Sequence, residues 1–393
     1  MAADMDIDLI RKQTKGCTDK IFLNSAGSSL VPQSVTDKMV GYLQMEALTG
    51  GYALANQYET EIEDLYVQAA LLFNCAPKNI AYATSATDAY AKAITAINFK
   101  AGDVILTTDD DYISNQLSFL SLKNRFGISI IRADNLPNGD LDMDTFEKLV
   151  ISHQPKLVAI THIPTNSGLI QPAEEIGRIC KKYDILYLLD ACQSVGQRVV
   201  DVQRIGCDFM TATGRKFVRG PRGTGLLYVS DKVLDEQMVP LIFDMQGADW
   251  TGNDEYRLAK TGKRFEFWES SIAGKLGLKE ALTYINGIGI SNIELYNVNL
   301  MQQFRKELQK VPGLDLHDQG SHLSNILTFT TSNRPLQDTA QLLRDNNVYF
   351  SMSFRDFARI DFNKKDLDAI IRFSAHYFNT PEELEKTIAI LNY

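Results

Sequence analysis

Between residues 79 and 230 the chain alternates short, almost uninterrupted apolar runs with stretches of helical periodicity. The runs cover residues 80–83, 104–107, 128–132, 157–161, 185–189, 208–211 and 225–229. A strand that is apolar nearly throughout must be covered on both faces. The intervening segments 88–97, 141–151 and 173–182 read as helices. Strand–helix alternation predicts an α/β fold in which a mostly parallel sheet carries helices on its faces. Such sheets bind ligands at the carboxyl ends of their strands, and the polar motifs of this chain fall there.

A second region runs from about residue 266 to the C-terminus. Segments 272–284 and 290–309 read as helices, 324–331 as a strand and 381–391 as a terminal helix. A length of 393 residues allows two or three domains. The predicted division is a large domain over 15–262 and a smaller C-terminal α/β domain over 263–393, joined by the N-terminal segment 1–14. Segment 249–263 is polar and glycine-containing and reads as an exposed loop.

Charge and cysteine usage exclude several function classes. Forty basic against 49 acidic side chains leave a net charge of −9, which argues against binding nucleic acid or an anionic membrane. No apolar stretch is long enough to span a bilayer. The opening MAADMDIDLIRKQTKG lacks the basic start and apolar run of a secretion signal. The five cysteines, Cys17, Cys75, Cys180, Cys192 and Cys207, are scattered and never spaced C-x-x-C. Neither disulfides nor zinc are expected, and a reducing cytoplasmic location is. The five histidines show no clustering at metal-ligand spacing, so no metal site is predicted. Asp109–Asp111 read as a solvated turn before a helix.

Two motifs carry the densest chemistry. LLDACQ places Asp190 at the end of a buried apolar strand, where a carboxylate is costly unless it meets a cation or donors. TGRKFVRGPRGTG places Lys216 on a turn just after a strand, among Arg215, Arg219 and Arg222. A desolvated lysine near other cations has a lowered pKa and is a better amine nucleophile. A strand-end Asp and a loop Lys suit pyridoxal phosphate, the lysine joining its aldehyde and the carboxylate pairing with its pyridine nitrogen. A buried Asp–Lys ion pair is the alternative. YATSATD (82–88) follows one strand and opens a helix, whose first N–H groups suit a phosphate; an ordinary N-cap is the alternative there. GPRGTG precedes a strand and lacks the GK[ST] ending, so it is not read as a nucleotide loop.

Six motifs in order, YATSATD, THIPTNSGLIQP, DACQSVG, TGRKFVRGPRGTG, RFEFWESS and IRFSAHYFNT, resemble the class V aminotransferase group of fold type I pyridoxal-phosphate enzymes. The resemblance spans residues 21–391. This group includes cysteine desulfurases, isopenicillin N epimerase, kynureninase and hercynylcysteine sulfoxide lyase. It implies Lys216 as the Schiff-base lysine, Asp190 as the pyridine-nitrogen partner and Gln193 at the ring hydroxyl. Ala86, Thr87 and Thr213 would cradle the phosphate, with Arg215 where many relatives have His. Tyr112 matches the ring-stacking position. Thr165 and Asn166 would lie near cofactor and substrate, with Asn24 in a substrate-side loop. Arg372 matches the arginine that grips the substrate carboxylate, for which its bidentate fork is suited. The resemblance also implies a homodimer, with RFEFWESS carrying Trp268 into the partner's site; interface packing is the alternative for that indole.

The cysteine that desulfurases use as sulfur acceptor falls in segment 346–361 (NNVYFSMSFRDFARID), which has none. A persulfide-forming desulfurase is therefore disfavoured. RFEFWESS, VYFSMSF and SAHYFNT are most similar to hercynylcysteine sulfoxide lyase. That likeness implies a carbon–sulfur β-lyase acting on a small cysteine-derived amino acid. The alternatives are an aminotransferase or an amino-acid epimerase using the same site. Arg219 and Arg222 are further candidates to reach the phosphate or an acidic substrate tail.

Overall fold

The computed structural model describes residues 5–392. A seven-stranded sheet forms the centre of the larger part. From edge to edge its strands are Ile80–Ala83, Gly225–Val229, Phe209–Thr213, Leu186–Asp190, Leu157–Thr161, Val104–Thr108 and Ser129–Ala133. Every predicted run is a strand, with no end shifted by more than two residues. The five strands from Phe209–Thr213 to Ser129–Ala133 pair in parallel, whereas Gly225–Val229 is antiparallel to both its neighbours. That strand is reached from Phe209–Thr213 by a turn with no crossover helix, so it must run back.

The sheet sorts its side chains by the two-residue period. Val158 and Ile160 enter one apolar cluster, Leu157 and Ala159 another, and the same division holds for Tyr187 and Leu189 against Leu188. A strand read as continuously apolar thus fills two cores. Helices Ala173–Lys182 and Met143–His153 cover the first face, and Ala86–Thr95 and Ile113–Phe126 contribute to the second.

A second, antiparallel sheet has the strand order Leu314–Leu316, Ile326–Thr331, Ala369–Ser374, Ser351–Phe354. Its core of Leu327, Phe329, Ile371 and Phe373 packs with Phe304 and Leu384 from the helices Ile290–Leu308 and Pro381–Leu391. The N-terminal strand Ile21–Phe22 pairs in parallel with Val348–Tyr349, and Asn24 bridges to Ser374. The chain therefore passes along this smaller sheet before it builds the larger one.

Two readings are corrected. Segment 249–263 is not a loop: Ala248–Gly252 and Glu255–Leu258 form an antiparallel hairpin closed at Gly252–Asp254, its side chains largely exposed. Cross-strand pairing satisfies its backbone without burying its side chains, so composition read it as a loop. Asp110 and Asp111 are not a solvated turn, being 3% and 6% exposed. Ser167 donates to Asp110. Asp111 accepts from Thr161, Asn115, Gln116 and the Tyr112 N–H. No helix among the described residues is long and apolar enough to cross a membrane.

Candidate active site

The site is built where three neighbouring strands end. Asp190 is the last residue of its strand, in register between Thr161 and Thr211, and is 5% exposed. Its carboxylate is satisfied by the protein itself: Oδ1 accepts from the Cys192 N–H at 3.0 Å and Oδ2 from Asn115 Nδ2 at 3.0 Å. Asn115 also donates to Asp111 at 3.0 Å, so one amide ties two buried carboxylates together. Sequence reasoning missed Asn115; the only signal was its place one helical turn after Asp111.

Lys216 stands on the turn that leaves Thr213. Gly214 and Gly220 close that turn, the Gly214 N–H donating to Thr224 and the Gly220 N–H to Gly214. A Cβ at Gly214 would lie 2.1 Å from Thr224 Oγ1, so only glycine permits this closure. The residue after the lysine is fixed from the other sheet: His376 Nε2 lies 2.8 Å from the Phe217 carbonyl. Burial holds His376 well below the usual imidazole range, with Arg219 adding to the effect. The ring is therefore neutral, and its N–H can donate to that carbonyl.

The alternative of an Asp–Lys ion pair does not hold. Among the described residues no carboxylate lies within ion-pair distance of Lys216, because the Asp190 oxygens face Cys192 and Asn115. Burial lowers the Lys216 pKa to about 8; Cys192 and Asp190 oppose the shift, and Arg215 and Arg372 add to it. The expected neighbours Arg219 and Arg222 play no such part. Arg219 is wholly buried, donating to the Leu30 carbonyl and Thr14 and lying 4.9 Å from the Tyr377 and Phe378 rings, and Arg222 is exposed. Arg219 ties the lysine turn to the N-terminal segment and to the residues that follow the strand Ala369–Ser374, instead of reaching into the pocket.

The pocket around Lys216 is walled by Ser85, Ala86, Thr87 and Thr213 at one end and by Tyr112, Thr165, Gln193 and Arg215 elsewhere. Lys216 Nζ lies 5.8 Å from the Tyr112 ring centroid. The Ala86–Thr95 helix opens toward this pocket. Its Ser85 cap accepts from the Asp88 N–H, and Asp88 turns back onto Thr84 and Lys92. The first N–H groups, on Ala86 and Thr87, precede the helical ladder, which suits them to an oxyanion. Gly225 backs this turn so closely that a Cβ would lie 2.7 Å from the Ser85 carbonyl carbon.

At the other end Arg372 is 7% exposed and sits on the strand Ala369–Ser374. It donates to Thr165 Oγ1 at 2.6 Å and to the Thr165 carbonyl at 3.2 Å, with a weak contact to Asn24 at 3.5 Å. Its Nε is buried without a partner. Thr165 also accepts from Gln193 Nε2 at 2.8 Å, while Gln193 Oε1 is buried and unpartnered. Asn166 is buried with both amide atoms unpartnered, but it does not line the pocket. Trp268 is half exposed and lies outside this chain's pocket, its backbone N–H donating to Asp244. Cys192, overlooked in the sequence as a pocket residue, lines the wall beside Lys216.

The residues present fit pyridoxal phosphate: an unpaired buried amine, a fixed carboxylate across from it, an aromatic ring, an unpartnered amide oxygen and a helix N-terminus flanked by two threonines. Comparison with known proteins agrees. The chain is 29% identical over 388 residues to a probable cysteine desulfurase of Methanothermobacter thermautotrophicus, covering 97% of this chain and 94% of the relative. It is 26% identical to a probable cysteine desulfurase of Pyrococcus abyssi, covering 97% and 96%. Among solved structures, the apo cysteine desulfurase of Thermococcus onnurineus superposes with a TM-score of 0.91 at 24% identity, covering 100% of this chain and 98% of that one. A cystine C–S lyase bound to cysteine persulfide superposes at 0.83 with 23% identity, covering 97% and 99%. The fold is thus the mixed α/β, type I fold of pyridoxal-phosphate enzymes, and that cofactor is indicated. A lysine turn, strand-end carboxylate and helix N-terminus placed this way account for the match of residues 21–387 to the family described as Aminotransferase class-V, to which this chain belongs.

Proposed function

We propose that the protein is a pyridoxal-phosphate-dependent carbon–sulfur β-lyase. Its substrate is a small cysteine-derived amino acid, an S-conjugate or a sulfoxide of the hercynylcysteine kind. The products are pyruvate, ammonia and the sulfur fragment. The observation that carries this reading is the absence of a usable sulfur acceptor. Cys192 is the only cysteine on the pocket wall, and burial beside Asp190 pushes its thiol well above the ordinary range. Segment 346–361, where a desulfurase's acceptor would stand, offers Ser351 and Ser353. The relatives' names point to carbon–sulfur chemistry, and a pocket whose cysteine is held as the thiol is suited to releasing the sulfur instead of carrying it.

When bound, the cofactor supplies an aldehyde for the substrate amine and a ring that withdraws electrons from Cα. The chain's own residues then divide the work. Ala86 and Thr87 N–H groups, with the Thr87 and Thr213 hydroxyls, would hold the phosphate. Gln193 would meet the ring hydroxyl, Tyr112 would cover the ring and Asp190 would hold the proton on the ring nitrogen. Arg372 binds the α-carboxylate through the fork left free by Thr165. Lys216 takes the Cα proton as general base, for which a pKa near 8 is well matched to neutral pH. The Cβ–S bond breaks with its electron pair leaving on sulfur, and water completes the conversion to pyruvate and ammonium.

A homodimer with shared sites is part of this proposal. Leu241, Ile242, Met245, Trp250 and Trp268 are exposed, at 51–83%, on neighbouring stretches of chain that a second copy would cover. The site would then receive Trp268 from the partner. The five cysteines are free, in keeping with the reducing cytoplasmic location proposed. The test is incubation of the purified protein with S-substituted cysteines and their sulfoxides. Pyruvate matching the sulfur product supports the lyase. Alanine with a persulfide on the protein, keto-acid exchange, or Cα deuterium exchange without consumption would replace it with desulfurase, aminotransferase or epimerase respectively.

A further inference from the structure

The charges around the pocket do not balance, and the imbalance falls on Arg215. Three cations, Lys216, Arg215 and Arg372, stand close together: Arg215 and Arg372 both act to lower the Lys216 pKa, and Arg215 acts to lower that of Arg372. Among the described residues Asp190 is the one carboxylate on the pocket wall, held by Cys192 and Asn115 where it would face the ring nitrogen. A bound cofactor adds its phosphate, for which the Ala86–Thr87 turn and two threonine hydroxyls stand ready. An amino-acid substrate adds one α-carboxylate, for which Arg372 stands ready. Arg215 borders both places, and its own contacts decide which of them it serves.

The geometry places Arg215 on the substrate side. The residue lines the pocket, and its guanidinium donates through one nitrogen to the Gly27 carbonyl. Gly27 lies directly beneath the side chain of Asn24: a Cβ there would be 2.5 Å from Asn24 Oδ1. Asn24 is the residue that touches Arg372. The Arg215 backbone carbonyl meanwhile accepts from the Ser29 N–H at 2.8 Å, which fixes the arginine against the Asn24–Ser29 segment. Arg215 forms no ion pair with any carboxylate among the described residues, so the remaining donors of its fork are available to a ligand in the pocket.

We propose that Arg215 is a specificity-determining residue that binds a second, distal oxyanion on the substrate. The preferred substrate class is then an S-linked cysteine derivative whose sulfur substituent ends in a carboxylate or comparable oxyanion. This inference rests on the lyase reading for its substrate class, but its test does not require turnover. A guanidinium offers a carboxylate two parallel charge-assisted hydrogen bonds, whereas a primary amide of the same size cannot accept both.

The probes are S-carboxymethyl-L-cysteine and S-(2-carboxyethyl)-L-cysteine, each with its matched amide. They are compared on the holoenzyme by titration calorimetry and, where turned over, by kcat/KM from pyruvate release. Wild type is expected to favour the acid at least about ten-fold for one of the two lengths. R215Q should bring the ratio near one, and R215K should retain part of it. Cofactor released on dialysis is measured in parallel. A wild-type ratio near one overturns the proposal. So does a ratio that survives R215Q, and cofactor loss from R215Q with the ratio unchanged would assign Arg215 to the phosphate. Acid preference in binding that disappears in R215Q, with no pyruvate from any probe, upholds the inference while removing the lyase. No saturable binding of any probe overturns both.

Discussion

Asn115 offers the sharpest test of how the site holds its charge, because one amide donates to two buried carboxylates. Replacing it with aspartate changes almost nothing in shape. The new oxygens would face Asp111 and Asp190 across contacts of about 3.0 Å each. At an effective dielectric constant of about 20, two ionised carboxylates at that separation repel by roughly 5 kcal/mol per contact. Protonating the new side chain instead costs about 5 kcal/mol near pH 7.5, since each unit above an ordinary carboxyl pKa costs about 1.4 kcal/mol. The cheaper path caps the loss of N115D near that figure, comparable to the whole stability of many domains. N115A loses charge-assisted hydrogen bonds alone, about 2–4 kcal/mol. The two variants differ in kind as well as size. The deficit of N115D should shrink by about 1.4 kcal/mol per pH unit on acidification, because the new carboxyl is protonated in the folded state at less cost. The deficit of N115A should hold nearly constant. Urea unfolding of both variants and wild type between about pH 5.5 and 7.5 reads this directly. An N115D deficit smaller than that of N115A, or one that does not change with pH, would refute the arrangement of Asp111, Asn115 and Asp190 described above.

Three further outcomes are expected. The apoprotein should react with an added aldehyde at a rate that rises with pH and is half-maximal near pH 8, following the neutral amine of Lys216; a midpoint near the ordinary lysine value of about 10.4 would contradict that burial. Arg372→Ala should raise KM for amino-acid substrates by about ten-fold or more with little change in kcat, since carboxylate binding is shared by ground and transition states, and steady-state kinetics that show only a kcat loss would remove Arg372 from that role. Burial and then the nearby Asp361 raise the Asp110 pKa. Stability from its protonated form is fully present below the ordinary carboxyl value of about 4 and is lost as pH rises from there through about 8, so Asp110→Asn should flatten the stability curve across that window, and an unchanged curve would contradict it.

Particular residues show what the sequence could and could not reveal. The strands were legible because each one fills two cores, leaving no polar positions to blur the run. Asp190 and Lys216 stood out because a carboxylate and an amine at strand ends are costly without a purpose. Asp110 and Asp111 misled, since three consecutive carboxylates look solvated and their donors come from Thr161, Ser167 and Asn115, distant or a helical turn away. Arg219 misled for the opposite reason. Its neighbours in sequence are the Lys216 turn, but its partners are Thr14, Tyr377 and Phe378, which only the fold brings together. The hairpin at 248–258 escaped because strand pairing, not burial, holds it.

The central claim is that the amine of Lys216 carries the cofactor. Reducing the holoprotein with borohydride and mapping its peptides tests this most directly. The account predicts one pyridoxyl-modified peptide, with the modification on Lys216 and lost in Lys216→Ala. Modification of a different lysine, or none at all in protein that retains the cofactor, would contradict it.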